Sequence, residues 1–124
     1  MDFNDQQAIY LQIAELICEQ ILLKRFKEDE RIPSVREMAV QLEVNPNTVM
    51  RTYEFLQTKN IITNKRGIGF FVATDGIEKA TDFRKKEFLE NELPKIFKTA
   101  HLLNISFDDL KEQYRSSENN PPKA

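Results

Sequence analysis

The chain is poor in the residues that most chemistry needs. Of its 124 residues one is cysteine (Cys18), one is histidine (His101), three are glycine and none is tryptophan. A single cysteine excludes an internal disulfide and fits a reducing compartment. A single histidine, with no second ligand of its kind, cannot complete a metal site. No glycine-rich phosphate loop and no arrangement of nucleophile, base and orienting group is present, so no catalytic residue, metal or cofactor is expected and the chain does not read as an enzyme. No apolar run approaches the roughly 18 residues that cross a membrane, and the first residues show no signal-peptide pattern. A cytoplasmic protein with no membrane contact is therefore expected. Net positive charge is missing too: the formal charge is −2 and the pI near 5.5, which excludes a general nucleic-acid coat.

What remains is 40% hydrophobic residues, enough for one compact domain of roughly 75 residues with an appendage. Ile9, Ile13, Leu16, Ile17 and Ile21 recur at helical spacing, so a first amphipathic helix is expected over 7–23. Residues 24–31 form a charged connector anchored by Phe26. Ser34 and Glu37 then spell a capping box that opens a second helix, with Met38, Ala39 and Leu42 on its buried side. Glu43-Val44 makes a tight turn. Asn45 caps a third helix whose first position is Pro46, where a missing amide costs nothing. Val49, Tyr53 and Leu56 form its inner face; Asn47, Thr48 and Arg51 fall outside; Asn60 ends it, since asparagine tolerates the left-handed conformation. Two antiparallel strands follow, 61–65 and 70–73, joined by a loop over 66–69.

Helix, tight turn, helix and a basic hairpin in that order are what a winged helix-turn-helix requires. Although the whole chain is acidic, residues 45–70 carry Arg51, Lys59, Lys65 and Arg66 against Glu54 alone. Arginine bonds guanine bidentately, asparagine does so with adenine, and a threonine methyl rests on thymine. Asn47, Thr48 and Arg51 are therefore candidate base readers. Arg36, in the first turn of the second helix, falls where that helix would cross the DNA backbone. Lys65, Arg66 and Gly67 at the loop tip suit the adjacent minor groove or phosphates, and Gly67 serves either close approach or a positive φ.

After Asp75-Gly76 the composition shifts to helix formers. Leu89, Leu93, Ile96, Ala100 and Leu103 keep 4-3-4-3 spacing, the seam of a helix that packs against a partner helix. Pro94 is expected to kink or divide that run. Asn104-Ile105 breaks it, and Ser106 with Asp109 caps a last helix whose apolar side is Phe107, Leu110 and Tyr114. The segment 116–124 is polar and is expected to be a disordered tail. The expected class is thus mainly α with a small β-hairpin: a winged helix-turn-helix over 1–75, a short two-helix dimerisation appendage over 76–115, and the tail. About 50 residues after the wing leave no room for an effector pocket of the usual size. An exposed apolar stripe on so small a protein calls for a second copy to cover it. Cys18 reads as a small buried hydrophobe, Tyr53 as core, and Asp108-Asp109 as charge at a helix start.

On Ile32-Pro33-Ser34-Val35-Arg36-Glu37 through Val72 the chain resembles the GntR family of bacterial transcription regulators. Val44-Asn45-Pro46-Asn47-Thr48-Val49, with Arg51 and Tyr53, is most similar to its YtrA subfamily. The resemblance extends upstream through Ile9-Tyr10-Leu11-Gln12-Ile13. It implies a winged helix-turn-helix that binds double-stranded DNA, with the family's contact positions falling on Arg36, Asn45, Pro46, Asn47, Thr48, Arg66 and Gly67; Arg51 and Lys65 are added from their place on the helix and the loop. It also implies a short two-helix appendage that makes a homodimer, and hence an inverted-repeat site. A repressor is expected, and the residues leave open whether any effector acts on it; the alternative is a winged-helix module that binds protein and no DNA. Lys24 and Asp29 stand where members usually carry glycine. A non-glycine residue at positive φ costs roughly 1 kcal/mol, so the turn after the first helix is the part that the resemblance leaves open.

Overall fold

The structure, a computed structural model, describes residues 7–119. Its elements run α1 (Ile9–Leu22), α2 (Val35–Leu42), α3 (Pro46–Thr58), β1 (Ile62–Lys65), β2 (Gly69–Val72), α4 (Gly76–Glu87), a π turn (Phe88–Glu92), α5 (Leu93–Leu102) and α6 (Phe107–Glu118). This is the mainly α architecture with one hairpin that the residue pattern predicts. Up to β2 the helix and strand limits differ from expectation by one or two residues, as terminal turns usually do. The backbone divides into two units, one ending at Arg84 and one beginning at Lys85.

The first unit is built on α1. Ile13, Ile17 and Ile21 lie on one stripe and share one buried cluster with Met38 and Ala39 of α2, Val49, Tyr53 and Leu56 of α3, Ile61, and Ile62 and Val72 of the hairpin. Each fully buried Ile or Leu side chain contributes roughly 1.5–3 kcal/mol. Cys18 belongs to the same core, and burial pushes its thiol up to about 12, so it is a neutral, poorly nucleophilic thiol at physiological pH. The first half of α4 closes the unit through Ala80, with Ile77 and Phe83 packed beside it. Its N-terminus comes so close to the hairpin that a methyl on Gly76 would lie 2.5 Å from Val72 Cγ1. The Glu28 carboxylate accepts from the Ile77 amide (3.1 Å) and supplies the missing cap. Arg84 Nη1 lies 3.1 Å from the Glu15 carboxylate and ties α4 to α1.

The hairpin pairs antiparallel from Ile62–Val72 to Lys65–Gly69. Its second strand also gains a partner that the charged connector did not announce. The Ile32 amide donates to the Phe70 carbonyl (2.9 Å), Val72 to Glu30 (3.0 Å) and Asp29 to Val72 (3.0 Å). The connector thus satisfies the backbone edge of β2. Lys24 (φ 61°) and Asp29 (φ 65°) both adopt the left-handed conformation that a glycine would take without strain. The turn therefore keeps that conformation despite the substitutions, and Asp29 gains a hydrogen bond from Thr74 Oγ1 (2.6 Å).

In the second unit Pro94 lies in the first turn of α5. Its ring cannot donate to the carbonyl four residues back, and the wider π turn just before it absorbs the mismatch. The helical backbone stays unbroken through Glu92 and Leu93. Of the expected seam, Leu89, Ile96 and Leu103 are 49, 45 and 63% exposed, Leu93 is half-buried, and Ala100 is 5% exposed. Asn104 (φ 55°) ends α5, the Ile105 amide donates to the Ala100 carbonyl (2.9 Å), and Ser106 caps α6. That last helix runs through Ser116–Glu118, where the tail was expected to begin. The remainder of the expected tail, 120–124, lies outside the described residues. No helix among the described residues is long and apolar enough to cross a membrane.

Candidate nucleic-acid interface

Local hydrogen bonds set the start of both helices in the first unit's helix pair. Ser34 Oγ accepts from the Glu37 amide (3.1 Å) while Glu37 Oε1 accepts from the Ser34 amide (2.9 Å), the reciprocal box that its sequence predicts. Arg36 stands in that first turn, exposed. The link to α3 closes at Glu43, which is left-handed at φ 55°, ψ 47°. The Val44 amide then returns to the Ala39 carbonyl (3.0 Å), and Val44 itself packs against the core. Asn45 Oδ1 accepts from the Asn47 amide (2.8 Å). Its amide oxygen thus spends one acceptor site on the cap, and its NH2 group makes no such bond to the helix start.

Val49, Thr52, Tyr53 and Leu56 turn into the core. At helical spacing this leaves Asn47, Arg51, Glu54 and Thr58 on the opposite, exposed side. Thr48, expected there as well, is half-buried on the flank. Met50, three residues after Asn47, is 39% exposed; it was not singled out from the sequence, although the same spacing places it next to Asn47. Arg51 does not wave free in solvent. Its guanidinium carbon lies 3.9 Å from the centroid of the Tyr10 ring of α1.

At the hairpin tip the Ile68 amide donates to the Lys65 carbonyl (2.9 Å), and Arg66, Gly67 and Ile68 are all exposed. Gly67 sits at φ 78° with open space around its α-carbon. Of the two reasons for glycine there, the positive φ is the one that this geometry requires. Lys65 Nζ lies 4.2 Å from the Phe71 ring centroid, which lends that cation a partial anchor.

Tyr53 joins these pieces. Its hydroxyl donates to the Pro33 carbonyl (2.6 Å), one residue before the capping box, and its ring meets Phe70 of β2 edge-on at 4.9 Å. One buried side chain of α3 thus fixes the start of α2 and the hairpin together, and burial raises its phenol well above the ordinary value. It is core, as expected, and also the joint of the site. Among the described residues no group of three or more His, Cys, Asp or Glu side chains is placed to hold a metal.

Known proteins share this arrangement. The family model described as "Bacterial regulatory proteins, gntR family" matches residues 9–72. The HTH-type transcriptional regulator YhcF of Bacillus subtilis is 39% identical over 90 residues, which covers 71% of this chain and 74% of that protein. The HTH-type transcriptional repressor YtrA of the same organism is 29% identical over 112 residues, covering 90% of this chain and 85% of that one. Among solved structures, a GntR-family transcriptional regulator of Bacteroides thetaiotaomicron is 47% identical with a TM-score of 0.71, covering 90% of this chain and 97% of its own. A GntR-family regulator of Listeria monocytogenes is 30% identical with a TM-score of 0.75, covering 92 and 98%. The DNA-binding domain of AraR, solved in complex with its operator, is 25% identical with a TM-score of 0.53, covering 59% of this chain and 88% of that one.

Proposed function

The chain belongs to the gntR family of bacterial regulatory proteins, and from that premise we propose that it is a sequence-specific DNA-binding repressor of transcription that grips an inverted-repeat operator as a homodimer. One observation supports this reading: Asn47 and Arg51 of α3 and the Lys65-Arg66-Gly67 tip are all exposed, and Tyr53 of α3 packs on Phe70 of the same hairpin. In it the amino-terminal 75 residues bind DNA, α3 lying in the major groove and the hairpin beside it. Asn47 and Arg51 read base edges, with Thr48 and the Asn45 NH2 at the groove wall. Arg36, Pro46, Lys65, Arg66 and Gly67 set the register against phosphate and sugar. Residues 76–115 pair two copies through Leu89, Leu93, Ile96 and Leu103, with Ala100 supporting the seam from inside its own unit. The first half of α4 doubles as a wall of the DNA-binding core. Two-fold pairing places the half-sites about one helical turn, or a multiple, apart. A cytoplasmic protein without cofactor or membrane partner fits this role, and the name of the similar YtrA repressor favours repression.

The test is selection of bound duplexes from a random-sequence pool. The result expected is an inverted repeat whose binding weakens steeply as salt rises. Arg51→Ala should cost about 1–3 kcal/mol on the selected duplex and relax one base preference, whereas Arg66→Ala should weaken all duplexes alike. A folded chain that enriches no duplex even in dilute buffer would overturn the proposal and leave a protein-binding winged helix.

A further inference from the structure

We infer that Tyr10 is a positioning residue for DNA readout: its ring holds the Arg51 guanidinium in place before DNA arrives. The inference rests on the proposed base-reading role of Arg51. It goes beyond that role by assigning a function to a residue of α1 that faces no groove in the reading above.

Three observations converge on it. First, the Arg51 guanidinium carbon lies over the Tyr10 ring at 3.9 Å from its centroid, well inside the range of a cation–π contact. Second, the ring is itself held. Thr52, the residue after Arg51, is fully buried, and its hydroxyl lies 2.9 Å from the Tyr10 carbonyl oxygen and 3.1 Å from that of Thr48. The backbone of Tyr10 is therefore locked to the same helix turn that carries Arg51. Third, the ring has its own aromatic neighbours. Phe55 meets it edge-on at 5.9 Å, and Phe83 of α4 meets Phe55 edge-on at 5.5 Å. Helices α1, α3 and α4 thus supply one aromatic column with the guanidinium at its outer end.

The chemistry suits a reader. A cation–π contact uses the flat face of the guanidinium and leaves the N–H fork around its edge available for a base. An arginine free in solvent would lose several rotamers on meeting DNA, whereas one already seated has lost them on folding. Among the described residues Arg51 makes no ion pair, so no carboxylate competes for its donors.

The experiment uses the full chain and the duplex that the wild type selects from a random pool, with a scrambled duplex as control. Arg51→Ala should lower affinity for the selected duplex about 10- to 100-fold and flatten preference at one base pair of each half-site. Tyr10→Leu should lower it about fivefold and flatten preference at that same base pair. Tyr10→Phe, which keeps a ring, should retain the preference. The Tyr10→Leu/Arg51→Ala double variant should bind no worse than Arg51→Ala alone, and the scrambled duplex should be bound equally by wild type, Tyr10→Leu and Tyr10→Phe. If Arg51→Ala flattens a base preference and Tyr10→Leu leaves it intact, the positioning role is wrong while the reading role stands. If Arg51→Ala leaves every preference unchanged, the reading role falls first. Should Tyr10→Leu fail to fold, NMR of the unmodified DNA-free protein decides: the Arg51 Nε–H resonance should be shifted upfield by the ring, and a resonance typical of a freely rotating arginine would overturn the inference.

Discussion

The two units bury their apolar residues to very different extents. Up to Arg84 a full core turns inward, with Ile13, Ile17, Ile21, Val49, Tyr53, Leu56, Ile61 and Ile62 all within 1% of complete burial, while Ile9, Leu22, Val40, Met50 and Ile68 stay exposed. Beyond Lys85, among the described residues, Ala100 is the buried hydrophobic side chain, while Phe88, Leu89, Ile96, Phe97, Leu102, Leu103, Phe107 and Tyr114 are exposed. The first unit has its own buried core. The second leaves these large apolar side chains exposed, so its stability should depend on what covers them. A difference of that kind predicts unlike responses to like substitutions.

The largest response is expected from leucine truncation. Leu56→Ala empties a site with 0% exposure and should cost about 3 kcal/mol in urea unfolding at every protein concentration. Leu102→Ala removes a side chain that is 74% exposed and should stay within about 0.5 kcal/mol in dilute protein. Equal losses would mean that Leu102 is covered in solution and would break the contrast. A second pair of measurements sharpens it. Ile96→Asp places a charge on the exposed stripe of α5 and should abolish concentration-dependent association in sedimentation experiments while leaving the unfolding of the first unit unchanged. A wild-type chain that is monomeric at all concentrations would remove the pairing role of that stripe.

Smaller effects are expected where both units use the left-handed conformation. Lys24 ends α1 at φ 61°, and Asn104 ends α5 at φ 55°. Glycine relieves a lysine there, so Lys24→Gly should stabilise the first unit by about 0.5–1 kcal/mol. Asparagine already tolerates that region, so Asn104→Gly should gain a few tenths of a kcal/mol at most. Thermal unfolding of both variants at one protein concentration measures the difference.

These contrasts also mark what can be read from residues alone. The boxes at Ser34–Glu37 and Ser106–Asp109, the Asn45-Pro46 start and the tip around Gly67 were legible because each rests on hydrogen bonds or dihedrals within three residues. The cap that Glu28 lends to Ile77 spans 49 positions, and the ring that Tyr10 lends to Arg51 joins different helices. Neither has a local signature, since each depends on how helices cross. The pairing of residues 29–32 with β2 was hidden for a related reason: backbone groups make it, and the side chains of the connector are charged. The π turn before Pro94 lay between, because proline foretells a disturbance but not the wider winding that resolves it.

The finest contrast is one of likeness. Each unit carries the same capping device, at Ser34 with Glu37 and at Ser106 with Asp109. The Ser34 backbone amide, then its hydroxyl, hold the Glu37 carboxyl below its ordinary value of 4.5. The Ser106 amide and hydroxyl do the same for Asp109 below 3.8. Both groups favour the charged form in the folded state, so each adds stability that is complete above its ordinary value and fades as the pH falls through the lowered one. Folding therefore weakens on the acid side in both units, and neither box makes stability depend on pH near neutrality. Carboxyl titration by NMR should place both groups below their ordinary values. Ser34→Ala should return Glu37 toward 4.5 and leave Asp109 where it was, because a cap acts through contacts within its own first turn. A shift at Asp109 in that variant would mean that the effect of the Ser34 cap reaches beyond its own first turn.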